Sequence, residues 1–175
     1  MELDTDEAAR ISTLYMYGIL DTRFEERFDR MTRLAAGIFK TPISLISLVD
    51  KDRQWFKSSH GLSERQTSRD IAFCSHAIKT PDVFIVHDAM RDERFKSNPL
   101  VTAGPHIRFY AGAPLITSSR HALGTLCVID NQPRTEFTPK DQSLLRDLAD
   151  TVIDFFEMQV AIRRAQASER ITRRE

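Results

Sequence analysis

The stretch FYAGAPLIT at residues 109–117, answered by LGTLCVID at residues 123–130, reads as two β-strands joined by a turn across 118–121. Both runs are rich in β-formers, are bounded by polar or breaker residues, and are too short for an ordinary helix. Gly112 and Gly124 lie inside them, where a missing side chain marks a bulge or the close approach of another backbone. The same pattern occurs earlier in the chain. ISLISLV at 43–49 turns across 50–52 into RQWFKS at 53–58, a second antiparallel hairpin. A short apolar run at 83–86 adds one more strand, whereas 61–68 is polar and loop-like.

Helices flank these strands. Residues 6–20 carry Ile11, Leu14 and Tyr15 at helical spacing, with Asp4 or Thr5 as N-cap and Gly18 as the stop. Thr22 and Glu25 have the spacing of a capping box, ahead of a helix with Phe24, Phe28, Met31, Leu34, Ala35 and Ile38 on one face. Pro42 prevents that helix from continuing. Ile71, Cys74 and Ile78 predict a short helix over 70–79, and 88–98 reads as a turn with one helical turn. The last element is the longest. Thr138 caps it, Pro139 takes the first helical position and Asp141 the first turn, and no breaker follows. Leu145, Leu148, Val152, Phe155, Gln159, Ile162, Gln166 and Glu169 form a heptad seam that loses its apolar character after Ile162. Roughly thirty helical residues reach about 45 Å, more than a small domain requires. The second half is therefore expected to leave the globule. The order of elements predicts an α+β fold, an antiparallel sheet with helices on one face.

Length and charge bound the function. The chain has 175 residues, enough for one domain with a helical extension. Its 25 Lys and Arg balance 25 Asp and Glu, which excludes a general nucleic-acid binder. The neutrality sums unlike ends: Glu2, Asp4, Asp6 and Glu7 near the start, and five arginines after Ile162. No apolar run approaches the roughly 20 residues of a membrane span, and the acidic start is unlike a signal peptide. Two cysteines, Cys74 and Cys127, make neither a disulfide framework nor a metal spacing, so the expected setting is reducing and cytoplasmic.

Eight short motifs then occur in one order: GILDT at 18–22, SLVD at 47–50, RQWFK at 53–57, FCSHAI at 73–78, DERF at 92–95, NPLV at 98–101, RFYAGAPL at 108–115, and GTLCVID at 124–130 with Pro133 and Arg134. This string resembles the GAF domains of bacterial sensor proteins, which stand ahead of histidine-kinase, GGDEF or PAS modules. The resemblance runs from about Arg10 to about Glu157. It implies a PAS-related central sheet of five or six antiparallel strands, with terminal helices on one face and a pocket on the other. It also implies a parallel homodimer through the first and last helices, with a signal leaving through the last. The division expected is a sensor domain over 1–158 and a connector helix over 159–175, ahead of an effector domain beyond Glu175.

In such folds the stretch 70–110 lines the pocket. The candidates for it are Trp55, Phe73, Cys74, Phe95, Phe109 and Tyr110, with Arg69 and Asp70 as a polar pair. Ordinary core packing is the alternative for the aromatics, and surface ion pairs for the polar pair. Arg53, Arg91, Arg94 and Arg108 are further candidates for holding an anion. Cys74 and Cys127 sit among apolar residues, as buried free cysteines do. The stretch 105–110 has no cysteine, so covalent bilin attachment is disfavoured. Neither a cyclic-nucleotide signature nor a glycine-rich phosphate loop is present. No metal site and no catalytic residue is assigned, and the ligand is left unidentified.

Three functions follow. The first is a non-catalytic sensor module that passes a signal to an effector such as a histidine kinase or diguanylate cyclase. The second is a cysteine-dependent enzyme of the free methionine sulfoxide reductase type. The third is a structural dimerisation module whose pocket is filled by its own side chains.

Overall fold

In the computed structural model, which describes residues 2–173, the two hairpins form the middle of the sheet. The first is β1 (Ile43–Val49) with β2 (Arg53–His60), and the second is β5 (Phe109–Ile116) with β6 (Ala122–Asp130). Antiparallel pairing of β1 with β6 joins them. β3 (Gln66–Ser68) and β4 (Phe84–Val86) are the edges, giving the order β3-β2-β1-β6-β5-β4 with every neighbour antiparallel. β3 lies where a loop was expected. Its QTS sequence carries no alternating pattern, and it is extended because it completes the hydrogen bonding of β2.

α1 (Glu7–Tyr17), α2 (Glu26–Phe39) and α5 (Pro139–Thr172) cover one face of the sheet. Asp6 caps α1, accepting from the Ala8 and Ala9 N–H groups at 3.0 and 3.3 Å, in place of the expected Asp4 or Thr5. Asp4 instead meets His121 Nε2 at 3.0 Å. α1 ends at Gly18 with φ of 63°, a conformation suited to glycine.

The expected capping box at Thr22 and Glu25 does not form, and no side chain caps α2. Buried Lys57 takes both groups. Its Nζ donates to Thr22 Oγ1 at 2.9 Å and the Arg23 carbonyl at 2.6 Å, and pairs with Glu25 Oε2 at 2.7 Å. A desolvated ammonium needs these oxygens more than solvent-reachable backbone N–H groups do. The buried face of α2 is also rotated from the expected one. Phe28, Met31, Thr32, Ala35, Ala36 and Phe39 are buried, while Phe24, Leu34 and Ile38 are exposed.

The helix predicted over 70–79 is broken into a single 3₁₀ turn at Arg69–Ile71 and α3 (Cys74–Ala77). α4 (Pro99–Thr102) is capped by Asn98. α5 starts at the expected N-cap Thr138, and Asp141 completes a capping box with it. Its buried stripe is Leu145, Ala149, Val152, Ile153 and Phe156, with Leu148 and Phe155 only partly covered. The seam expected at a heptad period becomes a broader stripe because α5 lies on a sheet rather than against a single helix. Side chains over 161–173 are exposed, and residues 174 and 175 of the expected connector lie outside the described residues.

Strand alternation divides the core. Ile46, Leu48, Trp55, Phe109, Leu126 and Val128 meet the terminal helices. Leu45, Phe56, Tyr110, Cys127 and Ile129 face the opposite layer, which α3, α4 and their loops build. A bulge interrupts the alternation in the first hairpin. Ile46 pairs with Ser58 but Ser47 pairs with Phe56, leaving Lys57 as the extra residue. As a result Lys57 and Ser58 both contact the α2 side, Ser58 Oγ donating to Asp29 Oδ1 at 2.6 Å. Among the described residues no helix is long and apolar enough to cross a membrane.

Candidate functional site

The face opposite the terminal helices encloses a cavity of about 260 Å³. Its floor is the sheet, with Leu45, Phe56, Tyr110, Cys127 and Ile129; Phe73 and Cys74 form its far wall. Leu62, Glu64, Leu100 and Pro105 come from the surrounding loops and α4. Gln54 is the polar centre of the wall. Its Oε1 accepts from Cys74 Sγ at 2.9 Å and Ser47 Oγ at 3.1 Å, and its Nε2 donates to Thr67 Oγ1. The Tyr110 hydroxyl lies 3.3 Å from Thr125 Oγ1.

Three of the expected pocket residues, Phe73, Cys74 and Tyr110, reach the cavity. Phe95 stands one layer back, stacked on Phe73 at 4.1 Å between ring centroids. Trp55 and Phe109 do not reach it. Each is one strand position from a lining residue, Phe56 and Tyr110 respectively, so each faces the terminal helices. Arg69 also lies elsewhere, donating to the Asp50 carbonyl at 2.9 Å and pairing with Glu7 at 2.6 Å. Asp70 is exposed on the 3₁₀ turn. The other candidate arginines are engaged too: Arg53 with Asp21 and Asp50, Arg91 with Asp88, Arg94 with Asp92, and Arg108 with the Val101 and Ile107 carbonyls. Gln54, Phe56 and Cys127 went unnoticed as lining residues. The period-two pattern of their strands held the signal, but not which face it served.

Both cysteines are buried and free. Burial pushes the Cys74 thiol up to about 11 and the Cys127 thiol up to about 12. With a value of about 11, roughly one Cys74 in a thousand is thiolate at pH 8. A disulfide reagent at pH 8 is therefore expected to leave both thiols unmodified in the native protein and to titrate both in denaturant. Rapid stoichiometric labelling of the native chain would contradict that expectation.

A family model for the GAF domain matches residues 23–153. The chain belongs to the GAF family. It is 45% identical over 148 residues to a cyclic di-GMP phosphodiesterase of Pseudomonas aeruginosa. The match takes in 85% of this chain and 25% of that protein, so the chain spans about a quarter of the relative's length. Among solved structures it is similar to the GAF domain of an Acinetobacter phosphoenolpyruvate-protein phosphotransferase, with TM-score 0.65 and 18% identity, covering 91% of this chain and 98% of that one. It is also similar to the type II free methionine-R-sulfoxide reductase of Thermoplasma acidophilum, with TM-score 0.62 and 11% identity, covering 76% and 92%. At these identities the two structures share its fold.

This GAF domain ties its cavity strand to its last helix. Phe56 of β2 lines the cavity, and its neighbour in the bulge is Lys57. Glu25, which pairs with Lys57, also accepts from Gln159 Nε2 of α5 at 3.0 Å. Two further ties hold the same turns of α5. Glu157 Oε1 accepts from the Tyr17 hydroxyl at 3.1 Å and the Ser118 N–H at 2.9 Å. Arg163 donates to the Tyr17 and Gly18 carbonyls. These contacts hold α5 at the place where it leaves the globule.

Proposed function

We propose that this GAF domain is a non-catalytic regulatory module working in the cytoplasm. The cavity takes a small ligand, and its occupancy biases the packing of terminal helices paired in a parallel homodimer. α5 carries the change to an effector domain such as a diguanylate cyclase or histidine kinase in a longer protein. The observation that carries this reading is the Lys57–Glu25–Gln159 connection, which runs from a strand of the cavity floor to the start of the exposed helix. The relative named for cyclic di-GMP hydrolysis, of which the chain spans about a quarter, supports a place within a larger signalling protein. Exposed Met16 on α1 and Met158 and Ile162 on α5 supply apolar surface for a second copy. A ligand shifts such an equilibrium only through its differential affinity for the two states.

The reductase reading has less support, because catalysis through cysteine requires a thiolate and burial opposes ionisation of both thiols. A self-filled dimerisation module is likewise disfavoured by a cavity of about 260 Å³.

The test places one label on the exposed helix. Gln166→Cys introduces a reactive thiol beside two buried native ones, so a spin label attaches selectively. The expected result is a single short inter-label distance, consistent with helices packed about 8–10 Å apart. Sedimentation as a monomer at every concentration, with no inter-label distance, would overturn the proposal.

A further inference from the structure

We infer that the cavity selects a neutral aromatic molecule of roughly two fused rings and rejects nucleotides and other anions. This rests on the reading of the cavity as a ligand site, and it follows from size, charge and hydrogen bonding. A cavity of about 150 Å³ suffices for benzene in a well-studied case. The 260 Å³ here leaves room for about one more ring.

Among the described residues no Lys, Arg or His lines the cavity, and the one charged lining residue is the exposed Glu64. An anion entering would lose its hydration without gaining a counter-charge, and would pass a carboxylate. A cyclic dinucleotide carries two phosphates and meets this penalty twice. The polar side chains of the inner wall also each carry a hydrogen bond within the protein. Gln54 bonds both Cys74 and Thr67, and the Tyr110 hydroxyl is engaged by Thr125. Among the described residues the one buried side-chain N or O without a partner is Thr41 Oγ1, which does not line the cavity. A polar group on a ligand that reaches the inner wall would have to share or displace these bonds, and one left unpaired there loses about ten- to hundred-fold in affinity. What remains to recognise a ligand is apolar surface, including the rings of Phe56, Phe73 and Tyr110.

The experiment titrates the full chain with naphthalene, 2-naphthoate and cyclic di-GMP, reading the methyl resonances of Leu45 and Ile129. Naphthalene is expected to shift both methyls saturably, 2-naphthoate to bind at least about tenfold more weakly, and cyclic di-GMP to leave them unmoved. Ile129→Phe fills the floor and Leu100→Trp fills space from the α4 side, and each is expected to weaken naphthalene at least about tenfold while keeping a cooperative melt. Anion binding at these methyls as tight as naphthalene's would overturn the inference. So would naphthalene that fails to shift them, or two folded variants that bind it as the parent does. The label at 166 separates this inference from the signalling proposal. Naphthalene binding without any change at the label sinks the signalling proposal and leaves the ligand class standing. An anion that binds tightly and moves the label does the reverse.

Discussion

Gly124→Ala is expected to destabilise the folded domain severely. Gly124 pairs with Leu48 across β1 and β6, the two central strands. A Cβ built there would stand 1.8 Å from the Ser47 carbonyl oxygen and 2.8 Å from Leu48 Cα. Both contacts are backbone, so no rotamer change relieves them. β1 is held on its other side by β2, and β6 by β5, so neither strand has room to retreat. Overpacking a core costs typically 1–3 kcal/mol. A clash between central backbones is expected to exceed that, at about 4 kcal/mol or more, against a total stability of about 5–15 kcal/mol. Urea unfolding should show a midpoint reduced by roughly a quarter or more. Gly37→Ala is the control. Gly37 lies in α2 with nothing within 4 Å of a built Cβ, and the substitution should stabilise by about 0.5–1 kcal/mol. A Gly124→Ala protein with the parent midpoint would remove the close-approach account of this residue.

Lys57→Met is expected to separate folding from transmission. The Lys57 side chain is 1% exposed, with its ammonium 5.4 Å from the Phe28 ring centroid. Methionine retains the packed stem and removes the charge. Glu25 is 36% exposed, so water can replace the lost ammonium, and stability should change by no more than about 1–2 kcal/mol. Lys57→Ala also leaves a void and should cost about 2–4 kcal/mol. Without Lys57, Glu25 loses the ion pair that places it beneath Gln159. Hydrogen exchange across 157–163 is then expected to accelerate by about tenfold or more, while the strand amides of β1 and β6 keep their protection. Unchanged exchange in that segment would remove Lys57 from the connection. Acidification provides an independent check. Burial raises the Glu25 carboxyl, but its bonds from Lys57 and Gln159 outweigh this and hold it below its ordinary 4.5. Its contribution is therefore complete above about 4.5 and is lost as pH falls through the lower folded value. Protection over 157–163 should fall in that acid range, and Lys57→Met should blunt the response.

Much of this architecture was legible in residue order. The runs at 43–49 and 109–117 place strands because short β-rich segments between breakers have few alternatives. Thr138, Pro139 and Asp141 start α5 because cap chemistry is satisfied within four residues. The same kind of inference failed at Thr22 and Glu25. Their spacing suits a cap, but Lys57, more than thirty positions away in sequence for each, claims the oxygens at 2.9 and 2.7 Å. Among the candidate site residues, Phe73, Cys74 and Tyr110 were accessible to sequence reasoning. Trp55 and Phe109 were misplaced because aromatic character does not reveal which way a strand faces.

The sequence by itself determined the two hairpins, the long final helix and the family, since these depend on local pattern and on motif order. Only the tertiary structure decided which neighbour in each strand meets the cavity, where α2 begins, and what α5 is tied to. The physical reason is that alternation specifies two faces without labelling them. The label comes from packing α1, α2 and α5 against one face. The bulge that turns Lys57 towards Glu25 is a property of β1 paired with β2, and of neither strand alone.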